Sequence, residues 1–156
     1  MRISFLVNHP HYVNQIAQWY FDEWACMSPT ATVEKVAKDV SAKAKSTHDF
    51  PLAFIVHDMD TLYGVAELKI RENKNYPQYE HWLGGVFVAP ENRGEGIAGL
   101  LIKSAQDHAS VIGVEELYLQ CETHNITLYK KYGFQALHEA DYGAESITIM
   151  SWKTNI

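Results

Sequence analysis

The residues best suited to chemistry lie in one stretch, Val86–Gly99, which reads VFVAPENRGEGIAG. An apolar alternation ends at Val88, a turn follows, and Arg93, Gly94, Glu95, Gly96, Ile97, Ala98 and Gly99 lead into a helical pattern. Small residues let a backbone curl without Cβ clashes. Successive N–H groups can then converge on one oxyanion, reinforced by the positive end of the helix that follows. The pattern predicts a site for a phosphate or diphosphate.

Several readings compete. A kinase-type P-loop needs Lys and then Ser or Thr after its last glycine, and here Ile97 and Ala98 follow Gly96. The dinucleotide pattern G-x-G-x-x-G is met by Gly94, Gly96 and Gly99, and Glu122 falls where a ribose ligand is expected. That motif, however, turns almost directly from strand to glycine, whereas Pro90, Glu91, Asn92 and Arg93 intervene here. It also sits mid-chain, after a predicted hairpin. A reading without any ligand is that Gly94, Gly96 and Ala98 only let a helix pack close to a sheet.

The loop needs a strand before it and a helix after it, and the hydrophobic pattern supplies both. His81–Val88 reads as a strand, with Gly84-Gly85 marking a bulge or a close backbone approach. Gly94–Ile112 reads as a helix with a buried stripe of Ile97, Leu101, Ala105 and Ile112. Upstream, Arg2–Val7 is a strand, and Tyr12–Ala25 and Thr32–Ser46 are helices. Lys35, Lys38, Lys43 and Lys45 read as the solvated face of the second helix. Pro51–His57 and Leu62–Ile70 form a hairpin, and Arg71–Tyr79 is a loop. Downstream come the strand Glu116–Cys121, a short helix Asn125–Tyr132 stopped by Gly133, and the strands Phe134–His138 and Ser146–Trp152. This order indicates an α/β (α+β) fold, a mixed sheet flanked by helices.

Bulk properties narrow the functions. A chain of 156 residues, 47% hydrophobic and 21% charged, suits a single domain over 1–156. A net charge of −6 argues against nucleic acid as a partner and is compatible with a cationic one. No apolar run is long enough to predict a membrane span, and MRISFLVNHPHYV lacks the pattern of a secretory signal. Cys26 and Cys121 then read as free thiols of a cytoplasmic protein. The eight histidines show no metal-ligand spacing, so no metal is expected.

With strand, loop and helix in place, the chain resembles the GNAT superfamily of acyl-CoA-dependent N-acetyltransferases. That family's loop motif is Arg or Gln, two residues, Gly, one residue, then Gly or Ala, and Arg93, Gly96 and Ala98 match it. Val86, Val88, Pro90, Glu91 and Arg93 match the preceding V-x-V-x-P-E-x-R, and Leu128, Tyr129, Gly133 and Phe134 match L-Y-x-x-x-G-F.

The resemblance implies a mostly antiparallel sheet of about six or seven strands with about four helices. It implies acetyl-CoA as co-substrate and an amine as acceptor, and it allows a homodimer. Val86, Phe87 and Val88 would run beside the pantetheine arm like an added strand. The strands His81–Val88 and Glu116–Cys121 would splay to admit the thioester, with the Val88 N–H on its carbonyl. Gly94–Ala98, flanked by Arg93 and Gly99, would hold the diphosphate. Tyr129 matches the general acid that protonates the departing thiolate. A phenol near pKa 10 against a thiol near 8.5 makes that transfer uphill by ~2 kcal/mol in water. An alkylamine near pKa 10 needs more help, about 4 kcal/mol, to lose its proton at neutral pH. The family's base positions fall on Trp82 and Gly84, which cannot serve, and its helix Asn falls on Glu122. Glu67 or His81 acting through water stays open as base. The turn Cys26–Ala31, the loop Arg71–Tyr79, and Trp24, Tyr76, Tyr79 and Trp82 would shape the acceptor pocket. The other function open to this sequence is a non-catalytic acyl-CoA-binding module of the same fold.

Overall fold

The computed structural model describes residues 1–142 and 145–154. Among them the strands are β1 (Arg2–Phe5), β2 (Leu52–Asp58), β3 (Thr61–Ile70), β4 (His81–Val88), β5 (Glu116–Cys121), β6 (Gln135–Tyr142) and β7 (Glu145–Lys153). The α-helices are α1 (Val13–Glu23), α2 (Val33–Ala42), α3 (Ile97–Val111) and α4 (Ile126–Lys130). All seven strands join one sheet in the order β1-β2-β3-β4-β5-β7-β6. Only the β4–β5 pair is parallel, as α3 carries the chain back between them. The mixed, mostly antiparallel architecture expected from the sequence is therefore the one observed.

Alternation along the strands builds a core on each face. Leu52, Phe54 and Val56 of β2 pack with Ile97, Leu101, Ile102 and Ala105 of α3, and with Tyr129 and Phe134 around α4. Ala53 and Ile55, on the opposite face, pack with Val13, Ile16 and Tyr20 of α1 and Val40 of α2. A third cluster, Trp82, Ile147 and Ile149, is covered by Tyr76 and Tyr79 of the loop after β3. The aromatic residues of that loop thus pack as core over β4–β5–β7. Trp24, by contrast, is exposed.

Element ends differ from the sequence reading for local reasons. β1 stops at Phe5 because Leu6, fully buried, lies in a 3-10 turn over residues 6–8. α2 begins after Thr32, whose hydroxyl accepts the Lys35 N–H at 3.1 Å, and ends at Ala42. α3 starts at Ile97 rather than Gly94, since Gly94 and Gly96 take φ of +86° and +83°. β6 runs on to Tyr142 because its pairing with β7 continues to Tyr142↔Glu145 despite a polar sequence. Both cysteines are free.

Candidate functional site

β4 is bulged next to the loop. Glu67 faces Gly84 and Val65 faces Phe87, so Gly85 and Val86 together oppose Ala66. Gly85 has φ +58°, and a Cβ there would sit 2.6 Å from the Tyr20 hydroxyl and 3.1 Å from Glu67 Oε2. The Gly84-Gly85 signal therefore marks both a bulge and a close approach. Beyond it the sheet opens. β4 and β5 are in register at Trp82↔Tyr118 alone among the described residues, and towards Val88 and Cys121 they part. The Ala89 N–H donates to Tyr63 O at 2.9 Å, on the β3 side. Because successive N–H groups of a strand alternate in direction, the Val88 N–H points the other way, into this gap.

At the end of the gap stand the first turn of α3 and its loop. Among the described residues no hydrogen bond within the fold takes up the N–H groups of Gly94, Glu95, Gly96, Ile97, Ala98 or Gly99. A Cβ at Gly94 or Gly96 would meet nothing within 4 Å, so positive φ rather than crowding selects glycine there. Ile97 and Gly99 are buried while Gly94, Glu95 and Gly96 are exposed. The segment is a set of free donors at the positive end of a 15-residue helix. Arg93 contributes differently. Its Nε donates to Val88 O at 3.1 Å and its guanidinium lies 5.3 Å from the Phe87 ring centre, so it braces the end of β4.

Tyr129 comes from α4 on the α3 side of the sheet. It is buried, and no hydrogen bond within the described residues engages its hydroxyl. Burial, then the nearby Cys121, raises its pKa well above 10, so the phenol keeps its proton. Cys121, at the end of β5, is pushed up to about 11, first by burial and then by Glu122.

Glu67 points to the other face and is 1% exposed. Lys43 Nζ, from just past α2, lies 3.0 Å from its Oε1, and Lys69 Nζ lies 3.7 Å away. The Lys43 contact is ionic, without the alignment of a hydrogen bond. Lys69 also binds Glu72 at 2.9 Å. Tyr20 donates from its hydroxyl to Gly85 O at 2.7 Å, and burial followed by the Glu67 charge raises its pKa. Sequence reasoning missed Tyr20, Lys43 and Lys69. Lys43 read as part of a solvated face, and only its place just after the last turn of α2 sets it apart.

Other candidates stand elsewhere. His81 opens β4 at the end remote from the loop, against Phe50 at 5.0 Å and Glu80 at 3.6 Å. Trp82 is fully buried and donates to Tyr79 O at 2.6 Å. Glu122 is half-exposed beside His124. Two open surface grooves, one between α1 and α2 near Asn14 and Lys38, the other around Phe50, His81 and Glu116, contain neither Glu67, Tyr129 nor the glycine loop. Among the described residues, no three His, Cys, Asp or Glu side chains gather to hold a metal ion, and no helix is long and apolar enough to cross a membrane.

Comparisons with known proteins agree with this fold. Residues 13–134 match the profile of the Acetyltransferase (GNAT) family. An aminoglycoside 6'-N-acetyltransferase complexed with coenzyme A superposes with a TM-score of 0.77 at 16% identity, covering 98% of this chain and 97% of that one. A putative acetyltransferase from Salmonella typhimurium with its cofactor acetyl-CoA gives 0.73 at 16% identity, covering 100% and 95%. A GNAT-family acetyltransferase from Streptococcus pneumoniae gives 0.72 at 16% identity, covering 99% and 100%. No curated protein matches the chain by sequence.

Proposed function

The chain belongs to the acetyltransferase (GNAT) family, and on that premise we propose that it moves an acetyl group from acetyl-CoA to a primary amine by direct attack on the thioester. The observation that carries this reading is the row of unengaged amides from Gly94 to Gly99, set at the mouth of the gap between β4 and β5. The open Cβ space at Gly94 and Gly96 and the helix-end polarity suit a diphosphate. Val86, Phe87 and Val88 would hold the pantetheine arm along the unpaired edge of β4, and Arg93 would keep that edge in place. When bound, acetyl-CoA supplies an activated acetyl thioester.

The protein's own groups then divide the work. The Val88 N–H, aimed into the gap, donates to the carbonyl oxygen as it gains charge. Tyr129 holds a proton on Oη and delivers it to the departing sulfur. On the opposite face Glu67 takes up the amine proton through an intervening water, its carboxylate placed by Tyr20, Lys43 and Lys69. The acceptor is a small-molecule or protein amine, and the net charge of −6 favours a cationic one. We assign the activity to one domain spanning 1–156 and working in the cytoplasm.

One observation favours the second reading, a non-catalytic acyl-CoA-binding module: the Glu67 carboxylate already faces two ammonium groups. A single experiment separates the two. CoA binding is measured by calorimetry, and thiol release from acetyl-CoA is followed against a panel of amines. Binding with amine-dependent release supports the enzyme, and binding without release on any amine supports the module. A protein that ignores CoA fits neither.

A further inference from the structure

We infer that Tyr132 is a further coenzyme-binding residue, its hydroxyl donating to the diphosphate held at the start of α3; this rests on the coenzyme reading above. Tyr132 follows Tyr129 by three residues, and its N–H bonds to Tyr129 O at 3.0 Å, so both side chains leave the same side of the α4 segment. Its own carbonyl accepts from Gln106 Nε2 at 2.7 Å. Gln106 is a buried polar residue of α3, and this bond ties Tyr132 to that helix.

The side chain leans on the first turn of α3. A Cβ added at Gly99 would collide with the Tyr132 hydroxyl, and the ring carbon bearing that hydroxyl would be 3.0 Å away. Gly99 is thus the residue whose lack of a side chain admits a hydroxyl to the helix mouth. Among the described residues no hydrogen bond engages that hydroxyl, and it lies against Gly99, one of the residues whose N–H is also free. A half-buried phenol fixed by its backbone, unpaired, and set beside amides that favour an anion is placed to add an O–H donor to them. The loop motif supplies main-chain donors, whereas Tyr132 supplies a side-chain donor from a different element.

The test is Tyr132→Phe, which keeps the ring and its packing. Calorimetry is run with CoA, with dephospho-CoA and, by ligand-detected NMR titration, with pantetheine. A donor to a charged oxygen predicts roughly tenfold weaker binding of CoA and of dephospho-CoA, an unchanged pantetheine affinity and an unchanged melting temperature. Equal CoA affinity in the two proteins overturns the proposal. So does an equal loss for pantetheine, which would put the hydroxyl on the arm instead. Failure of the wild-type protein to bind CoA overturns the coenzyme reading itself, and this inference with it.

Discussion

Tyr129→Phe is the substitution that most directly tests the chemistry. The phenol is buried on the α3 side and its hydroxyl has no hydrogen-bond partner among the described residues, so removing one oxygen leaves the packing intact. The size of the effect follows from Cys121, a thiol close enough to raise the Tyr129 pKa. That thiol moves from 9.0 to about 11, mainly because burial penalises its thiolate. A coenzyme thiolate leaving without a proton into a buried region is likewise disfavoured, so turnover should fall by roughly 100-fold, the lower end of what a positioned general acid contributes. Thiol release, read with a chromogenic disulfide and the best acceptor of an amine panel, measures it. CoA affinity should stay within about twofold and the melting temperature within about 2 °C. The pH profile adds a sign. The acid form is needed and its pKa is raised, so wild-type turnover should not decline as the pH rises through 10 for want of this proton. A variant with intact CoA binding and a rate within twofold of wild type refutes the assignment.

Other perturbations address the frame around that step. Gly85→Ala forces a Cβ against Tyr20 and Glu67 at φ +58°, adding strain and disturbing the Tyr20–Gly85 bond. The expected loss is about 2–3 kcal/mol, or roughly 5–10 °C in melting temperature; an unshifted melt would show that the bulge tolerates a side chain. Glu67→Gln leaves Lys43 facing a neutral amide and should cost about 3 kcal/mol in denaturant unfolding. Adding Lys43→Met should recover much of it, and strict additivity of the two substitutions would deny the pair. His57 is 1% exposed, its Nδ1 has no hydrogen-bond partner among the described residues, and its pKa is lowered first by burial and then by His9 and Arg2. The unfolded chain therefore takes up a proton below about pH 6.5 that the folded one resists, so stability present above that pH is lost as pH falls through it. Melting curves at about pH 7.5 and pH 5.5 should show the drop, and His57→Gln should reduce it.

What the sequence revealed depended on whether the signal was local. Gly94, Gly96 and the strand before them announce a donor-rich turn because positive φ and helix polarity are properties of adjacent residues. The seven strands were legible from alternation, and β5 was bounded correctly because its clean pattern ELYLQC sits between a glycine-stopped helix and a polar turn. Lys43 was not legible. Its partner Glu67 is 24 residues away on β3, and a lysine near a helix end reads as solvated until the tertiary fold turns it inward. Tyr20 had the spacing of a core residue and is one, yet its hydroxyl reaches Gly85, 65 residues on. A further contact of Arg93 was not legible either, since its side chain braces Val88 and Phe87 while the neighbouring backbone presents the free amides.

The proposed acid and base lie on opposite faces of the sheet, which puts the proposed chemistry at the β4 bulge. The free amides and Tyr129 gather with α3 and α4, whereas Glu67, Tyr20 and Lys43 lie with α1 and α2 on the opposite face. A continuous sheet would separate an acid on one side from a base on the other. The bulge at Gly85-Val86 follows the β4–β5 pairing at Trp82↔Tyr118 by three residues, and among the described residues the two strands make no further pair towards the loop, on which side the two sets of groups come nearest the sheet opening. Parallel pairing assists, because β4 and β5 run the same way and their ends, Val88 held by Gly64 of β3 and Cys121 held by Thr148 of β7, are not paired with each other among the described residues. A substitution that straightened β4 would therefore impair acid, base and coenzyme contacts together, while Tyr129→Phe and Glu67→Gln would each impair one.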